Sequence, residues 1–261
     1  MFIRSRKEVN NTENQDRIYD LAQRVSARDI PLFTHFLDLS QQKQSLVAAK
    51  AAGVSIKLFG GREGEGAENE CERKIACFFT DTVEDALVYP IDCIYISSRS
   101  AHFTGALTHR DVLGSLMSLG IDRMYLGDIA VRENGAFLFC EKKQSGYIIE
   151  NLHEIGGGTV DCRISQPPEG PLRKVREVIL QVSSPRVDAL ISRLFSISRE
   201  EAASLVLSSR VTVDDEELRK SDRLLSSGQV LSVRGHGRAR YCGEVSISRK
   251  GKLNVKMLLY S

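Results

Sequence analysis

The chain has 261 residues, 42% hydrophobic and 27% charged, a composition that excludes a disordered or fibrous protein and leaves room for two or three domains. Its net charge of +2 hides an asymmetry: residues 182–261 carry fourteen Lys and Arg against nine Asp and Glu, and residues 1–181 carry 22 against 25. A basic module on a slightly acidic body suits a polyanionic partner, whose counterions Lys and Arg displace.

The first residues, Met1-Phe2-Ile3-Arg4-Ser5-Arg6-Lys7, lack the apolar stretch of a signal peptide, and no run approaches the ~18 apolar residues of a membrane span. A cytoplasmic protein without a membrane span is expected. The six cysteines, Cys71, Cys77, Cys93, Cys140, Cys162 and Cys242, include no C-x-x-C pair, so neither a metal site nor a cofactor is expected. Cys77, Cys93 and Cys140 lie in apolar runs, where a thiol serves as a small buried hydrophobe in a reducing compartment.

In chain order, Ile18, Leu21, Ala22 and Val25 recur at helical spacing within a helical segment from about Thr12 to Gly53. Pro31 is expected to open a second helix, and Gln41 to Ala52 a third that ends at Gly53. Val54-Ser55-Ile56-Lys57-Leu58 then alternates as a strand. The glycine-rich loop Gly60 to Gly66 lacks the Gly-Lys-Ser/Thr of a phosphate-binding loop and reads as a mobile connection. Lys74 to Phe79 and Ile91 to Ser97 read as buried strands, joined by a short helix over Asp81 to Leu87. Val112, Leu113, Leu116 and Leu119 form one face of a helix closed by Gly120. Strands follow around Asp128 to Val131 and Ala136 to Cys140, with the hairpin signal Asn134-Gly135 between them. A helix over Gly146 to Leu152 and a strand over Thr159 to Ile164 complete an α+β unit. Gly156-Gly157-Gly158-Thr159 precedes a strand rather than a helix and reads as a tight connection. Pro167-Pro168-Glu169-Gly170-Pro171 ends regular structure.

His109-Arg110-Asp111 invites a catalytic reading, with His as base and Asp as its orienter. Adjacent helix residues do not face one another, however. Thr108 as N-cap with Asp111 three residues on forms a capping box without any chemistry, so no catalytic residue is expected.

In the basic last third, Val187, Leu190, Ile191 and Leu194 mark one helix and Ser198-Arg199-Glu200-Glu201 caps a second. Val211-Thr212-Val213 and Gln229 to Val233 are strands, with a turn at Asp214-Asp215. Arg249-Lys250-Gly251-Lys252 turns a last hairpin between Val245/Ile247 and Leu253/Val255. Arg186-Val187-Asp188, Ser198-Arg199, Val211-Thr212-Val213 and Gly228 to Arg238 resemble, in order and spacing, the S4 RNA-binding domain. Three positions depart from that pattern: Ser209 stands where glycine is common, Asp214-Asp215 replaces Asn-Gly, and Gln229 replaces an aspartate.

Arg186, Arg193, Arg199 and Arg210 can flank the helix pair, while Arg234, Arg238 and Arg240 follow a glycine-bracketed turn. Guanidinium groups suit phosphate and 2′-hydroxyl contacts on folded RNA. With Ser198 and Lys220 they make up the expected RNA-binding set, and few aromatics lie nearby for stacking single strands. The competing use of any one arginine is a local ion pair, Arg186 with Asp188 or Arg199 with the adjacent glutamates.

Leu107-Thr108-His109-Arg110-Asp111-Val112-Leu113-Gly114, Ser118-Leu119-Gly120-Ile121 and Gly127-Asp128-Ile129, with Glu72-Arg73 before them, are similar to the YlmH family of bacterial S4 proteins. The resemblance implies an α+β fold in three parts: an N-terminal helical α+β domain (1–80), an RRM-like, ferredoxin-like middle domain (81–170) and an S4 domain of αL type (182–256). It also implies a monomer that binds ribosomal RNA and tRNA on the large ribosomal subunit, in the rescue of stalled complexes or linked to cell division. A second RNA contact is expected at His109 and Arg110. The competing readings are an RNA-modifying enzyme such as an S4-fused pseudouridine synthase, whose Arg-Leu-Asp context Asp111 lacks, and a protein adaptor at the division site.

Overall fold

Local signals set most element ends in the computed structural model, which describes residues 6–28, 30–66, 68–80, 87–98 and 107–260. Helix α1 (Arg6–Arg28) buries Ile18, Ala22 and Val25 at the expected spacing. The segment after Pro31 is not a second helix but strand β1 (Leu32–Leu37). The reason lies at Asp38, whose carboxylate accepts the Gln41 N–H at 2.9 Å while the Gln41 side chain accepts the Asp38 N–H at 3.0 Å. That capping box starts helix α2 (Leu39–Ala52) only after the strand is complete. Gly53, at φ +67°, ends α2 in the left-handed region.

Strands β2 (Ser55–Phe59) and β3 (Lys74–Phe79) complete a three-stranded antiparallel sheet of order β1-β3-β2. Ala22 and Val25 of α1 and Ala48 and Ala49 of α2 pack on Phe78 and Ala76 at one face. The expected helix over 81–87 falls almost wholly on residues outside those described.

Strand β4 (Ile91–Ser98), helix α3 (His109–Ser118), strands β5 (Leu126–Arg132) and β6 (Gly135–Glu141), helix α4 (Lys142–Asn151), and strands β7 (Glu154–Ile155) and β8 (Gly158–Ser165) follow. They form an antiparallel five-stranded sheet of order β5-β6-β4-β8-β7. Helix α4 begins four residues before the expected Gly146. Val112 and Leu116 of α3 and Ile148 of α4 cover one face, against Ile94, Ile96 and Leu138. The expected hairpin is present with Glu133 and Asn134 in the turn and Gly135 already paired with Arg132; a Cβ at Gly135 would lie 2.1 Å from the Ile96 carbonyl oxygen, so the strands approach there as only glycine allows.

The first two sheets belong to one compact unit, the residues up to Glu65 together with Asn69–Leu172. Phe36 and Ile75 of the smaller sheet pack with Cys93, Ala130 and Phe139 of the larger. Glu72-Arg73 and Asp128 lock that contact: Asp128 Oδ2 accepts the Glu72 N–H at 2.6 Å and the Arg73 N–H at 3.2 Å. The Arg73 guanidinium donates to Leu126 O at 2.9 Å and to Phe36 O at 2.8 Å. Substitution Arg73→Leu removes a charged donor from the Phe36, Leu126 and Arg123 carbonyls and is expected to lower stability by about 3 kcal/mol. An unchanged urea midpoint would refute this role. Two points of the glycine-rich loop are held: a Cβ at Gly60 would meet that of Cys71 at 2.2 Å, and Arg62 donates to Pro168 O and Gly170 O at 2.8 and 2.6 Å.

The second unit comprises Gly66–Glu68 and the chain from Arg173 onward. It contains strand β9 (Val175–Val182), helices α5 (Val187–Phe195) and α6 (Arg199–Leu207), strands β10 (Val211–Val213), β11 (Glu216–Glu217) and β12 (Val230–Val233), and the long hairpin β13 (Gly237–Ile247) and β14 (Leu253–Tyr260). Strand β9 is absent from the sequence-based reading. The six strands lie in the order β11-β10-β12-β13-β14-β9, all antiparallel. Leu190, Ile191, Ala202 and Val206 of the helices pack on Val213, Leu231, Ala239, Tyr241 and Met257 of one sheet face. The fold class is therefore α+β, as expected. Among the described residues no helix is long and apolar enough to cross a membrane.

Candidate nucleic-acid interface

The two helices of the second unit begin close together because each start is pinned. The Val187 and Asp188 N–H groups donate to the carbonyls of Arg223 and Ser221 at 2.9 and 3.0 Å, and Arg186 bridges to Leu224. At α6, Ser198 Oγ accepts the Glu201 N–H at 3.0 Å, which is one half of the expected capping box. Between these starts sits the Asp188 carboxylate, its side chain only 9% exposed. Arg186 donates to its two oxygens through Nε and Nη2, each at 3.1 Å, in a forked pair. Arg199 Nη2 reaches the same two oxygens at 3.1 and 3.2 Å. The local pair expected for Arg186 is thus real, whereas Arg199 chooses Asp188 over the adjacent glutamates.

Burial pushes the Asp188 carboxyl up, but the hydrogen bonds and charges of Arg186 and Arg199 outweigh it and hold the group below the usual carboxylate range. Its one negative charge orients two guanidiniums that remain 40% and 59% exposed. The pair keeps a net positive charge and its donors are held in place before any ligand arrives.

Beside this clamp, Arg193, Arg199 and Lys252 line a hollow of about 160 Å³, with Ala189, Ser183 and Ser192 among the small residues of its wall. Three cations around small and polar side chains suit a phosphate group. Lys252 is a candidate that sequence reasoning missed. Its only signal was the run Arg249-Lys250-Gly251-Lys252, which the turn geometry already explained. Lys220, exposed, stands one residue before the Ser221 that holds Asp188.

The remaining expected residues go elsewhere. Arg210 donates to Arg234 O at 3.0 Å, and Arg234 N–H returns to Arg210 O at 2.9 Å, so these two exposed arginines mark the turn between β12 and β13. Phe195 at the end of α5 meets His236 of that turn at 5.4 Å between ring centroids. Arg238 and Arg240 alternate along β13 with the buried Ala239 and Tyr241, so they project from the sheet face opposite the helices. There Arg238 pairs with Asp215 at 3.2 Å and Arg240 donates to Tyr260 Oη at 3.2 Å. They do not join the helix-pair arginines.

In the first unit, Thr108 and Asp111 form the complete capping box: Asp111 N–H donates to Thr108 Oγ1 at 3.2 Å and Thr108 N–H to Asp111 Oδ2 at 3.1 Å. The Thr108 hydroxyl, followed by its backbone N–H, holds the Asp111 carboxyl below the usual range. His109 and Arg110 are exposed in the first turn of α3, and Arg110 lines an open hollow of about 590 Å³ with Ser115, Asn151 and His153. Among the described residues, no group of three or more His, Cys, Asp or Glu side chains could hold a metal ion.

The second unit thus presents a pre-oriented cationic helix pair. Residues 89–167 match the family model described as "Putative RNA-binding domain in YlmH". The chain is 26% identical over 223 residues to the ribosome-associated protein quality control protein P2 of Bacillus subtilis (strain 168), covering 84% of this chain and 82% of that one. Among solved structures it is similar to the cell division protein ylmH from Streptococcus pneumoniae, at 20% identity and a TM-score of 0.47, covering 63% of this chain and 96% of that one.

Proposed function

We propose that this chain is a non-enzymatic, monomeric, cytoplasmic protein that binds structured RNA through the α5–α6 end of its second unit. Its targets are ribosomal RNA and tRNA on the large ribosomal subunit, in ribosome-associated quality control, with cell division as the second setting that the family suggests. The observation that carries this reading is the Asp188 clamp, which presents Arg186 and Arg199 beside Arg193 and Lys252. The tandem helices, the strands β10, β12 and β13 and the motif residues support an S4 domain over 182–256. The β-α-β-β-α-β order of β4, α3, β5, β6, α4 and β8, with the two-residue β7 inserted before β8 and both helices on one face, supports a ferredoxin-like middle domain over 81–170, after an N-terminal domain over 1–80. The name of the Bacillus subtilis relative supports the ribosomal setting. Asp111 is engaged in capping, which leaves the RNA-modifying reading without an aspartate at that motif.

Four cations meeting about four phosphates give a log–log salt dependence of affinity with slope roughly −3. Filter binding of a ribosomal RNA hairpin across a salt series measures it. A flat salt response, or failure to sediment with purified large subunits, would sink the proposal.

A further inference from the structure

The sheet face of the first unit that lies opposite α3 and α4 is filled at one end by Phe36, Ile75 and Phe139. Beside that end the face carries the half-buried Phe137, which packs against the same cluster. There Phe137, Tyr95 and Arg163 stand in one row across the adjacent strands β6, β4 and β8, since Tyr95 pairs with Phe137 on one side and with Arg163 on the other. The two rings are 4.8 Å apart between centroids at 45°, and the Arg163 guanidinium lies 5.1 Å over the Tyr95 ring. Tyr95 Oη donates to Asn134 O at 3.2 Å, which fixes the ring. Tyr95, Phe137 and Arg163 line a hollow of about 430 Å³ with Arg132, Glu133 and Asn134.

Charge decides what suits this hollow. Arg132 donates to Val131 O and Pro171 O, and the nearby Arg62 to Pro168 O and Gly170 O, so the partners in these contacts are neutral carbonyls. Burial, and then the charge of Arg62, make the Arg132 guanidinium easier to deprotonate than usual, as expected where positive charges gather. Two ring faces and an overlying guanidinium accept a flat π-system, and the cationic margin accepts a phosphate.

We propose that Tyr95, Phe137 and Arg163 form a stacking site for an unpaired base of single-stranded RNA, with Arg132 on the adjoining backbone. The covered end of the face restricts it to one or two bases. It is distinct in element and in chemistry from the helix-pair arginines, which meet backbone phosphates of folded RNA.

Fluorescence anisotropy of a labelled single-stranded uridine octamer with the full chain tests it. Tyr95→Leu combined with Phe137→Leu is expected to weaken octamer binding about tenfold or more while leaving hairpin RNA binding intact. Tyr95→Phe, which keeps the ring, retains octamer binding. Arg193→Glu with Lys252→Glu gives the opposite pattern, losing the hairpin and keeping the octamer. Absence of octamer binding by the unsubstituted chain, equal binding by the leucine pair, or loss of the octamer only in the Arg193/Lys252 variant each overturns the site. Should the leucine pair fail to fold, Arg163→Glu at its exposed position carries the same test, and unchanged octamer binding in it overturns the site as well. Octamer binding without hairpin binding in the unsubstituted chain would refute the helix-pair reading and leave this site standing.

Discussion

Asp188→Asn is expected to weaken binding of hairpin RNA about tenfold, although it removes a negative charge from a surface that must attract a polyanion. A model in which only the sum of charge matters requires the opposite sign, because one fewer carboxylate raises the net positive field. The clamp reverses this. Arg186 and Arg199 are both held by the same two oxygens, and without the carboxylate each long side chain regains rotamer freedom that binding must remove again, at about 0.5–1.5 kcal/mol apiece. Stability should fall as well, by about 1 kcal/mol, since two ion pairs whose arginines face solvent lose their shared anion and the Ala189 N–H loses its charged acceptor. The pH dependence has a defined sign. A carboxyl held below its unfolded value of about 3.9 stabilises the fold above that pH, and the contribution disappears as pH falls through the depressed folded value. The stability gap between the unsubstituted chain and Asp188→Asn should therefore persist down to about pH 4 and close only below it, in urea titrations at a series of pH values. Tighter RNA binding by Asp188→Asn would refute the clamp.

Arg193→Glu together with Lys252→Glu is expected to lower hairpin affinity by about a hundredfold at low salt and to reduce the salt slope by about two, one phosphate for each cation removed. These two are preferable to Arg186 and Arg199 because neither rests on Asp188, so their reversal adds no carboxylate to a mostly buried acid. Arg238→Glu should change affinity far less, because its side chain stands on the opposite sheet face against Asp215. Anisotropy titrations of the three proteins at two salt concentrations separate these outcomes. Equal losses per reversed charge in the double variant and in Arg238→Glu would mean that bulk charge, and not the helix-pair surface, drives binding.

Much of the fold was legible because its signals are local. Thr108 and Ser198 cap helices through their own side chains, and the chain turns a hairpin at the Glu133-Asn134-Gly135 signal. Where the reading failed, a local cue competed with one further along the chain. Pro31 suggested a helix start, yet the capping box at Asp38 placed that start eight residues later and left Leu32–Leu37 to pair with β3. Strand β9 was overlooked because Val175–Val182 follows a proline-rich break, and its alternation of Val178, Leu180 and Val182 toward the core becomes evident only beside β14.

The candidate site divides in the same way. Motif spacing identified Arg186 and Arg199, but their common partner depends on how two helices pack. Arg238 and Arg240 could have been separated from them by the strand period alone, given the apolar Ala239 and Tyr241 between and after them. Phe137, Tyr95 and Arg163 are spread over 69 positions of sequence, and only the register of three strands makes them neighbours.

Ser209, Asp214 and Asp215 occupy left-handed backbone at φ 55°, 51° and 65°, where glycine or asparagine would sit at lower cost. Each choice has a local contact: the Ser209 hydroxyl donates to the Glu217 carboxylate, the Asp214 carboxylate accepts the Val230 N–H at 2.7 Å, and Asp215 pairs with Arg238. All three lie outside the α5–α6 clamp. Each of these turns thus exchanges backbone strain for a side-chain contact away from the helix pair, so changes there act on heat tolerance and leave the surface proposed to meet RNA unaltered.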